Sequence, residues 1–533
     1  MTESPKETIF NQPVDVLVLG SGIAGCTAAI KAAERGARVV LVTRGASLSK
    51  SNTAWAQGGI VYEGIGDTEK LLVQDIFEAG GGIGYKPAIE LLAHEGPERI
   101  REILLVEDHG ERPVPFDRNS DGNLSLTEEG AHSVPRIIHV EDLTGKAIQD
   151  NLAHRVDAHP NITVLLETTA VDLLTLSHHG DQAQDRFSPP SCFGAYVLRR
   201  KDSDIVAIRA RQTILATGGC GRLYLHTTNP KSARGDGLAM CWRAGVRLSH
   251  MEYIQFHPTS LYVESGPRFL ITEAMRGEGA RLIDSEGREF MKKYDERGTL
   301  APRDVVSRAI HEELLASGHP CVYLDITHKP DDWIVERFPH IAKTCSQYGI
   351  DITSQPIPVV PAAHYSCGGV LVDADGATNM ERLWAVGEVS CTGIHGANRL
   401  ASTSLLEGLV WGARCGEKVV ELLESSDASK ERIPEIDPWQ MAPDDPDPAL
   451  ITQDWNTIRY TMWNYVGLVR TRKRLNRARN LLRELETEIE DFYAYSIATD
   501  GLIGLRNGIT AARAITMAAL ENRQTCGCHY RVD

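Results

Sequence analysis

No stretch of this chain approaches the run of about 18 apolar residues that spans a bilayer. Residues 1–12 are polar and carry Glu3 and Glu7, where a secretory signal would have a basic segment followed by an apolar one. Basic charge is also short. Lys and Arg number 56 against 72 Asp and Glu, a formal charge of −16. Such a surface repels phosphate backbones and anionic lipid, which argues against nucleic acid or a membrane as partner. Paired cysteines are missing as well. The eleven cysteines are scattered and odd in number, and Cys26, Cys220 and Cys241 have apolar neighbours. That is the pattern of reduced, buried thiols in a soluble cytoplasmic protein, not of a disulfide framework. Cys526 and Cys528 lack a second pair at zinc-ligand spacing, so no metal site is expected. What the chain does have is length and glycine. Its 533 residues, 42% of them apolar, predict two to four domains. Its 47 glycines predict many close backbone approaches.

The first of these is at the start. Residues 14–19 form a short valine-rich run that reads as a buried strand, and Gly20-Ser21-Gly22-Ile23-Ala24-Gly25 follows at once. Residues 26–34 are alanine-rich with helical spacing, Gly36 stops them, and residues 37–42 read as a second buried strand. Inside a strand–turn–helix–strand unit of about 30 residues, this glycine pattern is a dinucleotide-binding fingerprint. The first glycine permits the tight turn, the second lets the backbone approach a pyrophosphate, and the third lets helix and strand pack closely. The pyrophosphate would sit on the free N–H groups of the helix start. The acid that usually ends the second strand and holds a ribose hydroxyl is replaced here by Thr43-Arg44, which weakens a reading as an NAD site.

Residues 212–215 and 383–386 read as further strands ending at glycine, at Gly218-Gly219 and at Gly387-Glu388. Three such strands, widely separated, predict one nucleotide domain (1–249 and 356–424) interrupted by an insertion (250–355). Residues 177–191 read as a surface loop in which His178 and His179 are solvated. Residues 425–448, rich in Pro, Asp and Ser, read as a linker to a C-terminal helical domain at 449–533. There Leu475, Ala478, Leu482, Leu485, Ile489 and Phe492 recur at three- and four-residue steps, an amphipathic stripe expected to be core without a part in chemistry. Residues 117–128 fit the EF-hand calcium-loop pattern at every specified position. The flanks contain Pro113, Pro115, Gly130 and Pro135, so neither can be the helix an EF-hand needs, and a turn between two strands accounts for the same residues.

Basic residues gather in the insertion and just after it: His257, Arg303, His364 and Arg399. Two arginines and two histidines suit a small dianion, because each guanidinium offers a planar fork of donors to a carboxylate. Singly, each has a plainer reading as a structural histidine or a surface arginine, and spacing alone does not bring the four together.

The longer motifs carry a resemblance. Residues 20–25, 51–59, 255–259, 272–280, 301–309, 361–369 and 387–406 resemble, over nearly the whole chain, the flavoprotein family of succinate dehydrogenase, fumarate reductase and L-aspartate oxidase. The likeness is strongest to the aspartate-oxidising branch, including Gly527-Cys528-His529-Tyr530-Arg531. The resemblance implies an α/β, Rossmann-like FAD-binding domain, interrupted by an α+β capping domain that closes over substrate and followed by a C-terminal helical bundle. It implies oxidation of L-aspartate to iminoaspartate, with oxygen or fumarate as acceptor, in quinolinate and NAD biosynthesis. The alternative is a soluble fumarate reductase or a succinate dehydrogenase flavoprotein subunit. Direct contact with a quinolinate synthase is left open. By the same match, His257, Thr272, His364 and Arg399 are ligands of the substrate carboxylates, with Glu273 in the same pocket. Arg303 exchanges a proton with the substrate, Arg276 and Glu273 sharing that load. Glu129, on its own an exposed loop carboxylate, matches the acid that meets the substrate ammonium. FAD contacts carry over to Gly20, Ser21, Gly22, Ala24, Gly25, Thr43, Asn52, Gln57, Gly58, Gly59, Asp236, Glu388, Ser404 and Leu405. Asn52 stands where dehydrogenase relatives have the histidine bonded to FAD, so the flavin is expected to be held non-covalently. Cys526 replaces the arginine usual in aspartate oxidases.

Overall fold

The computed structural model describes residues 9–106, 113–264, 266, 268–425 and 433–533. The sequence readings for residues 1–8 and 426–432 lie outside them. Valine and leucine on both faces put β1 (Val14–Leu19) in the centre of a parallel sheet. After the glycine turn, α1 (Ile23–Glu34) returns the chain to β2 (Val39–Val42), which pairs with β1, Val16 opposite Val39. β3 (Ile162–Leu165) adds to β2 in parallel. On the other side, β4 (Thr168–Thr175), β5 (Cys192–Arg199) and β6 (Asp204–Leu215) form an antiparallel meander. The strand β6 joins the two halves. Its first half pairs with β5, while its second pairs in parallel with β1 and with the late strand Leu383–Ala385. The strand read at 212–215 is therefore the end of a longer one.

The chain then leaves this sheet and builds a second one. β7 (Ile254–Leu261), β8 (Arg281–Ile283), β9 (Val322–Asp325) and β10 (Ile357–Ser366) are antiparallel in the order β7-β10-β9-β8. The helix α2 (Arg303–Ser317) packs on β7. Residues between 261 and 359 have an apolar core of their own, with Leu261, Phe290, Ile310 and Ile357 fully enclosed. Both β7 and β10 run back from this core to the main body, so His257 and His364 lie where the two cores meet.

The long helix α3 (Thr403–Glu424) crosses α1 at a row of glycines. A Cβ on Gly412 would lie 2.7 Å from the Ala24 carbonyl, and one on Gly416 2.5 Å from that of Ala28. Three helices follow: α4 (Pro448–Tyr465), α5 (Arg472–Tyr495) and α6 (Asp500–Glu521). Asp447, Thr471 and Thr499 cap their N-termini with side-chain oxygens. Leu475, Ala478, Leu482, Leu485 and Ile489 are buried, as the stripe predicts, and Phe492 is half-buried. They share one core with Leu17, Leu19 and Leu215 of the first sheet, so these helices cover a face of that sheet.

Two readings are corrected here. The described part of the 425–448 stretch is a strap laid on β5, with Trp439 edge-on to Tyr196 and Ile433 and Ile436 in the same cluster. The histidine at 179 is half-buried against Tyr196, with its Nδ1 accepting from Thr175 N–H; only His178 is exposed. The 117–128 segment is a closed turn, with Arg118 bridged to Leu124 and Asn119 accepting from Asp121 and Asn123. Among the described residues no helix is long and apolar enough to cross a membrane.

The α1–α3 contact leaves no room for a side chain. Gly412→Leu should force the helices apart at a cost of about 1–3 kcal/mol, read as a lower melting temperature. A melting temperature equal to that of the parent would contradict this packing.

Candidate active site

One continuous cavity runs along the C-terminal ends of β1, β2 and β6 and into the junction with the second sheet. That is where an open α/β sheet places its ligand. The positive φ of Gly20 (119°) and its contact with Ala216, 2.0 Å from where a Cβ would be, account for glycine there. Ser21, Gly22, Ala24, Thr43, Asn52, Gln57, Gly58, Gly59, Asp236, Glu388, Ser404 and Leu405 also line the cavity. Gly25 does not. Its place is against the Gly20 carbonyl, 2.1 Å from a would-be Cβ, which is the close helix–strand packing of the third glycine.

These residues fit a dinucleotide such as FAD. The first turn of α1 has no side-chain cap at Gly22. Gln57 Oε1, Thr217 Oγ1 and Asn229 Oδ1 are buried, line the cavity and have no partner within the protein, so a polar ligand can satisfy them. Asn52 donates to Glu388 Oε2 at 3.1 Å, and an amide offers no nucleophile for a covalent flavin bond. Burial pushes the Glu388 carboxyl up from its ordinary 4.5 to about 7.

The far end of the cavity gathers all the residues singled out for substrate. His257, Thr272, Glu273, Arg303, His364 and Arg399 line it together with Glu129. Pro302 is the N-cap of α2, so Arg303 is its first residue. Its Nε pairs with Glu273, and its NH1 donates to Gln255 Oε1 at 3.1 Å. Glu273 also takes Arg276 at 2.8 Å. Burial alone would raise the Glu273 carboxyl; Arg303 and Arg276 outweigh it and hold the group below the usual range. Arg399 donates to Ser404 at 2.9 Å and lies over the Tyr365 ring at 4.6 Å. Burial, then Arg303, brings its guanidinium down to about 10.

Both histidines are neutral. Burial first, then Arg303 for His257 and Arg399 for His364, pushes each well below 6.5. His257 Nδ1 lies 3.1 Å from the Thr259 carbonyl and 3.2 Å from the Thr259 N–H, so the Thr259 backbone fixes the ring. Thr228 Oγ1 holds His364 Nδ1 at 2.8 Å.

Glu129 is 3% exposed. The plain reading as an exposed loop carboxylate is therefore wrong. Its carboxylate accepts from Ser402 Oγ, and Gly58 makes room for it: a Cβ there would lie 2.6 Å from Glu129 Oε1. Burial, and then Glu273, raises its pKa. Three guanidiniums, Arg276, Arg303 and Arg399, thus stand against two carboxylates, Glu273 with its pKa lowered and Glu129 with its pKa raised. The pocket is net cationic, as a small dianion requires.

Sequence reasoning missed the residues that join these parts. Gln255 accepts from Arg303 and donates to Asn398 Oδ1 (2.7 Å) and to the Arg399 carbonyl (2.8 Å). Glu407 accepts from Tyr365 (2.8 Å) and Thr392 (2.7 Å) and pairs with His395 (2.9 Å), fixing the ring beneath Arg399. The only signal was position, since each lies in or beside one of the long motifs.

Fold and cavity define a flavoprotein oxidoreductase. Comparisons with known proteins agree: the family described as FAD binding domain matches residues 15–405, and that described as fumarate reductase flavoprotein C-term matches 455–533. The L-aspartate oxidase of Pseudomonas aeruginosa is 44% identical over 531 residues, covering 97% of this chain and 95% of that one. The chloroplastic L-aspartate oxidase of Arabidopsis thaliana is 39% identical, covering 97% and 81%. Among solved structures, an E. coli quinol fumarate reductase superposes with a TM-score of 0.86 at 27% identity, over 98% of this chain and 91% of that one. The chain belongs to the L-aspartate oxidase family.

Glu388 gives a pH-dependent test on FAD-free protein. A buried carboxyl raised to about 7 is protonated in the folded state at pH 5 and ionised, at a cost, at pH 8. Glu388→Gln should therefore raise the melting temperature at pH 8 and raise it much less at pH 5, where the pH is only just above the unfolded value of 4.5. An equal change at both values would contradict the assignment.

Proposed function

We propose that this chain oxidises L-aspartate to iminoaspartate with non-covalently held FAD as cofactor and oxygen or fumarate as acceptor, the first step of NAD biosynthesis through quinolinate. FAD, when bound, supplies the two-electron acceptor. His257, Thr272, His364 and Arg399 provide donors for two carboxylates, and the neutral histidines do so without adding charge. Arg303 takes a proton from the substrate. A guanidinium can do so only by passing a proton on, and Glu273, paired at its Nε and backed by Arg276, is the group beside it.

The observation that carries the choice of aspartate is Glu129. A carboxylate enclosed at 3% exposure in a pocket for anions is out of place unless the ligand brings a positive charge with it. The ammonium of aspartate does, and succinate has only hydrogen there. The same pocket would hold fumarate, which supports fumarate as an acceptor. We place the reaction in the cytoplasm. Iminoaspartate hydrolyses readily in water, so the proposal includes its transfer to a quinolinate synthase, by direct contact or over a short path.

A charge-assisted hydrogen bond contributes about 1.5–3 kcal/mol. Glu129→Gln should accordingly lower kcat/KM for L-aspartate by roughly tenfold to a hundredfold, while fumarate reduction holds steady or rises. The pH profile adds a sign. As pH falls, the raised Glu129 carboxyl takes up a proton and can no longer pair with ammonium, so KM for aspartate climbs; in Glu129→Gln that climb disappears. Parallel loss of both activities, or unchanged aspartate turnover, would remove Glu129 from the specificity role.

A further inference from the structure

Arg44 ends β2 at the position where a dinucleotide site usually has the acid that holds the adenosine ribose. It lines the cavity beside Thr43 and Thr169, and it is not free. Its Nε and NH2 donate to the two carboxylate oxygens of Asp500 at 2.8 and 2.7 Å. Asp500 opens α6, which is 456 residues away in sequence from Arg44. It also accepts from Thr169 Oγ1 at 2.8 Å and from Arg234 NH1 at 3.4 Å, and its own carbonyl accepts from that same nitrogen at 2.9 Å.

Two turns along the same face of α6, Asn507 donates to Asp236 Oδ1 at 2.8 Å. Arg234 holds the other oxygen of Asp236 at 2.9 Å. Asn507 is fully enclosed, and its Oδ1 accepts from Arg243 at 2.9 Å. Burial would raise the Asp500 carboxyl, but Arg44 and Arg234 hold it well below the usual range. One helix face therefore fixes two residues, Arg44 and Asp236, on the rim of one end of the cavity. None of these bonds reaches His257, Arg303, His364 or Arg399.

We propose that α6 is part of the cofactor site: Asp500 and Asn507 are positioning residues that hold Arg44 and Asp236 at the nucleotide end, so the C-terminal helices set FAD affinity. This rests on FAD occupying the cavity and not on the identity of the substrate, so the test reads cofactor binding alone.

FAD-free protein is titrated with FAD and flavin fluorescence followed, for the parent, Asp500→Asn, Asn507→Ala, Arg44→Gln and the Arg44→Gln/Asp500→Asn pair. Each single change should raise Kd for FAD by about tenfold or more. Because Asp500 acts through Arg44, the pair should bind FAD no more weakly than the weaker of its two single variants. Asp500→Glu, which keeps the charge, should recover part of the affinity. A role in stability alone predicts the opposite pattern: a lower melting temperature of the FAD-free protein with Kd unchanged. That result overturns the proposal, as does a pair whose effect is the full product of the single effects. Should Asp500→Asn fail to fold, Asn507→Ala decides by the same Kd criterion.

Discussion

Arg303 and Arg276 share a single carboxylate, that of Glu273, where almost no water reaches. Taking charges out of water costs several kcal/mol per ion unless the partners are well placed, and that requirement organises the substrate end. Arg399 adds a third guanidinium with no carboxylate of its own, supported by Ser404, the Tyr365 face and, through its carbonyl, Gln255. The pocket is therefore short of negative charge by design of its own fold, and an anionic ligand makes good the deficit. Neutral His257 and His364 follow from the same field, since neighbouring guanidiniums and burial both oppose a second proton on either ring.

Holding such a cluster demands rigid supports from distant parts of the chain. The second sheet brings His257 and His364 on the paired strands β7 and β10, and α2, packed on that sheet, brings Arg303 in its first turn. The turn into α3 and its first residues bring Arg399 and Ser404, and the glycine row holds α3 tightly against α1. The first turn of α1 in turn lines the cavity with Gly22, Ile23 and Ala24. Cofactor and substrate ends are thus set by one pair of helices, and the C-terminal helices close the remaining face of the sheet.

Much of this was legible from residues alone, but unevenly. The β1–turn–α1–β2 unit was plain because its glycines, its apolar runs and its length all point to one geometry. Convergence of His257, Arg303, His364 and Arg399 was not, since local patterns carry no information about contacts between residues so far apart; only the family resemblance joined them. Glu129 looked like a loop carboxylate because its burial depends on Gly58 and Ser402, which meet it across the fold. Arg44 looked like a missing acid, and its partner Asp500 lay in a segment whose periodicity spoke only of packing. Residues 425–448 were read as a linker because prolines and polar residues hide the few apolar anchors, Ile433, Ile436 and Trp439, and His179 was read as solvated because nothing local shows that it packs on Tyr196.

The central claim is that a cationic dicarboxylate pocket with one buried acid selects an amino acid over its plain diacid. Anaerobic mixing of the purified, FAD-loaded protein with L-aspartate or with succinate, while the flavin absorbance is followed, tests it most directly. Rapid bleaching by L-aspartate, with succinate slower by at least tenfold, is the predicted result. Bleaching by succinate at an equal or greater rate, or by neither compound, would contradict the account.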